Sequence, residues 1–157
     1  MALIDVALKH ALNAHNGQLD KAGEPYILHP LRLMAHFNDP VEQAVAVLHD
    51  VLEDSEITAD DLRSDGIPEE VIAAVELLSR GKDESYIDFI LRIRPHPLAR
   101  KVKMADLEDN LNVLRLPSLG DVDQRRISKY HRAWQMLATA EDGEKVVGSR
   151  GRQCSPS

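Results

Sequence analysis

Cysteine, aromatic residues and long apolar segments are all scarce in this sequence, and each shortage excludes a class of protein. The single cysteine, Cys154, rules out a disulfide framework and a cysteine-based zinc site. Aromatic residues make up 4% of the chain, which is few for a β-sheet protein. No apolar stretch approaches the roughly 20 residues needed to span a bilayer, so we expect no membrane contact.

Positive charge is also in deficit, because 19 Lys and Arg residues face 26 Asp and Glu residues, for a net charge of −7 with neutral histidines. This balance argues against a nucleic-acid partner, since neutralising a phosphate backbone requires a basic face. A small phosphorylated substrate stays compatible if a metal ion or a few local cations hold it. The first residues show no basic, apolar leader pattern, so we expect a cytoplasmic protein.

Apolar residues recur with the spacing of an α-helix along most of the 157 residues, and strand-like alternation is missing. The sequence therefore predicts an all-α fold, a compact multi-helix bundle formed by residues 1–141. Residues 142–157 are polar and weakly patterned, which predicts a flexible C-terminal tail. The predicted helices span about 3–15, 30–37, 40–53, 58–63, 68–79, 85–94, 97–116 and 121–140.

The predicted helix 40–53 is apolar on most faces, which is typical of a buried central helix, yet it contains His49 and Asp50. Two ionisable residues are costly to bury unless they are paired or bind a ligand. Glu53 lies on the same side of this helix, and Asp54 follows at once. The alternative is structural: the histidine bonds a backbone carbonyl, Asp50 pairs with an arginine, and the other two carboxylates face water.

Two further residues favour a metal site over that alternative. His29 lies where a helix is predicted to begin, and Asp106 interrupts the apolar pattern of a later helix. With His49 and Asp50 they make two imidazoles and two carboxylates. Such a mixed set of nitrogen and oxygen donors suits a divalent ion such as manganese, iron or zinc, with positions left for water or substrate.

The order His29…His49-Asp50…Asp106 resembles the HD superfamily of metal-dependent phosphohydrolases. Several segments look more specifically like the hydrolase domain of the Rel/SpoT alarmone enzymes, and even more like the stand-alone small alarmone hydrolases. The likeness covers most of residues 1–140 in the family's order. The segments that carry it are 15–18 (HNGQ), 21–30 (KAGEPYILHP), 48–54 (LHDVLED) and 102–106 (VKMAD).

The resemblance implies that these two histidines and two aspartates hold one divalent ion, usually manganese. It also implies that Glu53 and Asp54 act on the nucleophilic water. The implied reaction removes the 3′-pyrophosphate of guanosine tetra- or pentaphosphate, so the partner is a small nucleotide substrate. This agrees with general chemistry, because a divalent ion makes hydroxide available near neutral pH and a nearby carboxylate can take the water's proton.

The resemblance also implies substrate contacts by Lys21, Asn110, Arg126 and Tyr130, of which Lys21 faces a phosphate and Asn110 faces the nucleoside. The alternative for Lys21 and Arg126 is an ordinary solvated cation. For Tyr130 the alternative is a core pair with Trp134.

Three residues depart from the family pattern. The family generally has arginine immediately before the lysine that matches Lys21, and this chain has Asp20. After Asn110 the family often has arginine followed by a polar residue, and this chain has Asn112 and Val113. Replacing a base-stacking guanidinium by an acid removes a planar cation and adds repulsion toward phosphates, so the base preference stays open between guanosine and adenosine alarmones.

Two other functions stay open at this point. One is an HD phosphohydrolase that acts on another nucleotide or dinucleotide phosphate. The other is a helical module that binds nucleotides or keeps an ion without turnover. An exposed apolar strip on the last predicted helix also leaves room for a homo-oligomer.

Overall fold

The computed structural model describes the backbone of residues 1–149 and the side chains of residues 1–140. This part of the chain folds into α-helices and one short 3-10 helix without a β-strand, which confirms the predicted all-α class. The helices are α1 (Leu3–Ala14), α2 (Leu28–Ala35), α3 (Pro40–Leu48), α4 (Val51–Asp54), α5 (Ala59–Ser64), α6 (Glu69–Leu77), α7 (Tyr86–Ile93), α8 (Pro97–Asn110), the 3-10 helix Val113–Arg115 and α9 (Asp121–Ser149). None of those described is both long enough and apolar enough to traverse a bilayer.

Local capping signals set the starts of several helices where the sequence predicts them. The Asp39 carboxylate accepts hydrogen bonds from the first amides of α3, and Pro40 occupies the first turn. Thr58 caps α5 and Ser85 caps α7 in the same way. Each cap satisfies amides that have no partner within the helix, which is why these residue types start helices.

Helix α3 forms the centre of the bundle. Its residues 44–48 are completely buried, and α1, α2, α6 and α8 all pack against it. A helical segment can be surrounded in this way only when it is apolar on all faces, as residues 44–48 are. The residues just beyond its end are therefore held deep in the molecule.

The prediction of a single helix over residues 40–53 is wrong. The helix is interrupted at His49 and Asp50, which lie between α3 and α4. The Nδ1 atom of His49 lies 2.7 Å from the Ala46 carbonyl oxygen. In a continuous helix that carbonyl would accept the amide of Asp50 instead. A side chain therefore competes with the backbone for this acceptor, and the helix stops at the two residues that the sequence singled out.

Two other predicted helices end elsewhere than expected. Helix α8 stops at Asn110 rather than at residue 116, because Arg115 folds back and donates to the Asp109 carbonyl at 2.6 Å, which satisfies a helix-end acceptor. Helix α9 continues to Ser149, past the predicted end at Ala140. The two glycines within its last turns reduce helix propensity by only about 1 kcal/mol each.

The predicted tail, residues 142–157, falls on this last part of α9 and on the chain after Ser149. Residues 150–157, and the side chains of 141–149, lie outside the described residues. The division into residues 1–141 and a tail therefore stays a prediction.

We expect Ile72→Ala to lower the free energy of unfolding by about 2–5 kcal/mol, since Ile72 is fully buried against the core and its truncation leaves a cavity. The matched control is Ile87→Ala on α7, where the side chain is 50% exposed and the loss should be about 1 kcal/mol or less. Urea denaturation followed by circular dichroism measures both. Equal losses for the two variants would contradict the packing described here.

Candidate metal centre and active site

The four predicted metal ligands come together although they belong to three separate parts of the fold. His29 extends from α2, His49 and Asp50 from the break between α3 and α4, and Asp106 from α8. The two histidine Nε2 atoms lie 3.2 Å apart. The Nε2 atom of His49 is 2.9 Å from Asp50 Oδ2, and that of His29 is 2.9 Å from Asp106 Oδ1.

The donor atoms of this cluster fit a cation. His49 Nδ1 donates to the Ala46 carbonyl, and His29 Nδ1 lies 2.6 Å from Asp109 Oδ2. Because both acceptors take the Nδ1 proton, each ring in its neutral form presents the lone pair of Nε2 to the same point. Donor atoms of His29, His49 and Asp50 all lie within 4.8 Å of one another. Lone pairs and carboxylates that converge in a buried place need a positive charge between them.

The electrostatics of the cluster show that it attracts positive charge. Burial opposes the charged form of His49, but the adjacent Asp50 and Asp106 carboxylates raise its pKa well above the ordinary value. Burial also opposes ionisation of Asp50, yet the neighbouring His49 lowers the pKa of that carboxyl to about 2. Lys103 and both histidines hold the pKa of Asp106 well below its usual range. Both carboxylates are therefore ionised at neutral pH and ready to bind a cation.

Another carboxylate on α8, that of Asp109, orients His29. This residue was not singled out from the sequence. It accepts two hydrogen bonds from Arg32, at 2.9 and 3.0 Å, and two from Arg115, at 3.2 and 3.3 Å. Burial opposes its ionisation, but His29 and Arg32 lower the pKa of Asp109 overall. The available signal was spacing, since Asp109 lies three residues after Asp106 on the same face of a helix.

Three other side chains hold the proposed ligands in place. The Tyr26 hydroxyl donates to Asp50, and the Lys103 ammonium lies 2.7 Å from Asp106 Oδ2. Asn110, predicted to face the nucleoside, donates to Asp106 Oδ1 at 2.9 Å. The described contact of Asn110 is therefore with a proposed metal ligand, and its contact with substrate stays a prediction.

Glu53 and Asp54, predicted to act on water, lie on α4 beside this cluster. Glu53 Oε1 accepts a hydrogen bond of 2.9 Å from the Arg80 amide. Gln18, from the HNGQ segment, donates to the Asp54 carbonyl at 3.0 Å and so ties this turn to the end of α1. Burial, together with repulsion from Asp50 and Glu53, raises the pKa of Asp54 to about 6.

A cavity of about 500 Å³ opens over the cluster, which is a size typical of small-molecule sites. All four predicted substrate residues line it: Lys21, Asn110, Arg126 and Tyr130. Arg80 and Lys129 add two more cations to the same wall. Burial and repulsion from Arg126 and Lys129 lower the pKa of Lys21, which shows how closely these charges are grouped. An acidic protein thus places several cations where phosphates could bind, beside the acidic residues of the site.

Two of these residues have local partners that bear on their predicted roles. Arg126 pairs with Asp123, one turn before it on α9. Tyr130 contacts the Tyr86 ring at a centroid distance of 6.3 Å, whereas Trp134 donates its indole N–H to Glu108 at 3.1 Å. The aromatic partner of Tyr130 on the cavity wall is therefore Tyr86.

The three residues that depart from the family pattern all line the cavity: Asp20, Asn112 and Val113. Asp20 Oδ1 accepts the amides of Ala22 and Glu24, at 2.9 and 3.0 Å. The Asp20 carboxylate therefore stabilises the loop in which it lies. An arginine could not do so, because its guanidinium cannot accept hydrogen bonds from amides.

This geometry defines a class, an all-helical domain with a buried His/Asp cluster at the floor of a cationic cavity. No protein-family model matches the chain. Among solved structures it is similar to a metazoan orthologue of SpoT described as hydrolysing ppGpp and acting in starvation responses. The TM-score is 0.65 with 20% identity, over 92% of this chain and 96% of that one, so the two share a fold.

Curated relatives agree with that likeness. A GTP pyrophosphokinase from Streptomyces antibioticus is 30% identical over 71% of this chain and 15% of its own length. A guanosine-3′,5′-bis(diphosphate) 3′-pyrophosphohydrolase from Aquifex aeolicus is 32% identical over 71% of this chain and 18% of its own. The chain therefore spans less than a fifth of these relatives. Its predicted resemblance to the hydrolase domain of Rel/SpoT enzymes is confirmed.

We expect Asp109→Asn to weaken metal binding by about 10- to 100-fold, because the amide no longer fixes the His29 ring as a carboxylate does. Calorimetric titration of the metal-free protein with Mn²⁺ measures this affinity. Asp88→Asn, on the exposed surface of α7, is the matched control and should bind as the wild type does. Wild-type affinity in the Asp109 variant would show that this carboxylate does not orient the ligand.

Proposed function

We propose that this chain is a metal-dependent pyrophosphohydrolase that removes the 3′-pyrophosphate of nucleotide alarmones such as (p)ppGpp or (p)ppApp. The products are pyrophosphate and a nucleoside 5′-phosphate. The observation that carries the proposal is the position of the buried His/Asp cluster, which forms the floor of a cavity with a cationic wall. The fold shared with a SpoT orthologue and the names of the curated relatives support it.

In this proposal one divalent ion, assigned as Mn²⁺, is held by His29, His49, Asp50 and Asp106. The two nitrogen and two carboxylate donors suit such an ion. When bound, it lowers the pKa of a water molecule and polarises the phosphoryl oxygen. The chain's own contribution is to orient the two imidazoles through Ala46 and Asp109, so that each ring would offer Nε2 to an ion that displaces its proton.

Glu53 and Asp54 are assigned to the nucleophilic water. The Arg80 amide anchors one oxygen of Glu53, which leaves the other oxygen to orient the water or accept its proton. Asp54, with its pKa raised to about 6, can exchange a proton close to neutral pH. Together the two carboxylates supply the proton acceptor that hydrolysis of a phosphoric anhydride or ester requires.

The cationic wall is assigned to the substrate phosphates. Lys21, Arg80, Arg126 and Lys129 line the same cavity as the cluster, and charged groups of this kind bind phosphates strongly. Lysine and arginine there offset the charge of the phosphates and of the acidic site residues. The nucleoside is assigned to the wall formed by Asn110 and its neighbours.

A second candidate is an HD phosphohydrolase of another nucleotide or dinucleotide phosphate, acting in the cytoplasm as the first would. The three departures on the cavity wall, Asp20, Asn112 and Val113, favour it, because they change the surface available to a base. Oligomer formation stays a prediction for both candidates.

We expect the Mn²⁺-loaded protein to release pyrophosphate from guanosine or adenosine 3′-pyrophosphates, because Glu53 and three of the proposed metal ligands line a cavity of nucleotide size. Chromatography of the nucleotide products, with a coupled pyrophosphate assay, measures the reaction and the base preference. Release of orthophosphate would favour the second candidate. A protein that binds the ion and the nucleotide but turns over neither substrate would be a binding module.

We expect Glu53→Gln to reduce turnover by about 10²- to 10⁴-fold, the contribution typical of a general base, while the metal content stays at the wild-type level. His49→Ala should instead lose the ion, since it removes a proposed ligand from the centre of the cluster. Elemental analysis and a turnover assay on the same preparations separate the two effects. A metal-free Glu53 variant, or a His49 variant with stoichiometric metal, would contradict these assignments.

A further inference from the structure

The segment that joins α6 to α7, residues 78–85, reaches the proposed catalytic carboxylate through its backbone. The Arg80 amide donates to Glu53 Oε1 at 2.9 Å, and Leu78, Arg80 and Tyr86 line the cavity. The orientation of Glu53 therefore depends on where this segment lies.

Glu84 closes the segment on itself. Its carboxylate accepts the Gly81 amide at 3.1 Å, and its own amide donates to the Gly81 carbonyl at 3.2 Å. The Arg80 guanidinium donates through Nε to the Glu84 carbonyl at 2.9 Å. Three contacts thus join the two ends of a short turn that carries the Arg80 amide.

Arg92, one and a half turns into α7, fastens this closed turn to a helix of the bundle. Its Nε and Nη2 atoms donate to the two carboxylate oxygens of Glu84, at 2.8 and 3.0 Å, and Nη2 also reaches the Ser79 carbonyl at 3.1 Å. The guanidinium lies 5.5 Å from the centre of the Phe89 ring. Hydrogen bonds from Arg92 and Gly81 lower the pKa of Glu84 to about 2, so the pair is fully charged at neutral pH.

Neither Arg92 nor Glu84 lines the cavity, so both lie outside the proposed substrate site. Two-pronged arginine–carboxylate pairs fix geometry more strictly than single contacts do. We propose that Arg92 and Glu84 are positioning residues, which hold the Arg80 amide against Glu53 and thereby orient the carboxylate that acts on water. This inference rests on the proposed function, since it gives Glu53 a role in hydrolysis.

The expected effect is on the chemical step. A displacement of about 1 Å can cost up to roughly 100-fold in rate when a reacting group loses its alignment. We expect Arg92→Gln and Glu84→Gln each to lower kcat by about tenfold or more. KM should rise by less than kcat falls, because Arg80 is the only one of the four cations assigned to the phosphates that lies on this segment. Metal content should equal that of the wild type.

The double variant and a conservative variant test whether the two residues act through one contact. The Arg92→Gln, Glu84→Gln double variant should lose no more activity than the worse single variant, because residues in one network are not additive. Arg92→Lys should recover only part of the activity, since lysine keeps the charge but lacks the two-pronged fork.

The chain offers a matched control in the Arg63–Glu69 pair. It has the same two-pronged geometry, at 2.9 and 2.8 Å, and it joins α5 to the start of α6 outside the cavity lining. Arg63→Gln and Glu69→Gln should therefore leave kcat at the wild-type value. A loss in these variants as large as in the others would show a general effect on stability, and would overturn the inference.

Hydrogen exchange at the Arg80 amide, measured by NMR, tests the structural part without any turnover. Exchange should be at least about tenfold faster in Arg92→Gln and Glu84→Gln than in the wild type, because the bond to Glu53 opens more often. If the wild-type protein is active and the variants show unchanged exchange at the Arg80 amide or an unchanged kcat, the positioning role is refuted. The proposed function then stays intact. A wild-type protein that hydrolyses no alarmone refutes the proposed function instead, and the catalytic part of this inference with it.

Discussion

The structure depends on one electrostatic constraint, the approach of two buried imidazole nitrogens to 3.2 Å with carboxylates on either side. Lone pairs and negative charge repel at this distance unless a cation or a proton lies among them. Burial strengthens the repulsion, because little water is present to screen it. The cluster is therefore stable only with positive charge at its centre, and that requirement makes it suited to bind a divalent ion.

The side chains around the cluster supply part of the positive charge that it requires. Arg32 and Arg115 bind Asp109, which in turn orients His29, and Lys103 binds Asp106. The chain as a whole carries a net charge of −7, so this local group of cations contrasts with the negative charge of the whole protein. Networks of this kind stabilise when every member is satisfied, which explains why so many of the polar groups near the site are paired.

The floor and the outer wall of the cavity differ in their proposed roles. Its floor is formed by the proposed metal ligands and by the carboxylates assigned to the water, the residues to which the resemblance to Rel/SpoT hydrolases gives those roles. Its outer wall carries the departures at Asp20, Asn112 and Val113. Because specificity depends on the groups that meet the base, and the chemistry depends on the floor, the wall can change while the reaction stays the same. The proposed reaction class is thus better supported than the base preference.

The sequence by itself determined the all-α class, the helix starts at residues such as Asp39 and Thr58, and the ligand candidates His49 and Asp50, because these signals are local: caps, prolines and polar residues in an apolar run. The resemblance added the roles of Glu53 and Asp54. Only the tertiary structure decided that the central helix is interrupted at His49 and Asp50. It also decided that Asp109 orients His29, 80 positions away, and that the Arg80 amide anchors Glu53. The contacts of Asp109 and of Glu53 join distant parts of the chain, and those of His49 and of Glu53 involve backbone atoms that every residue has. No local pattern of side chains predicts such contacts.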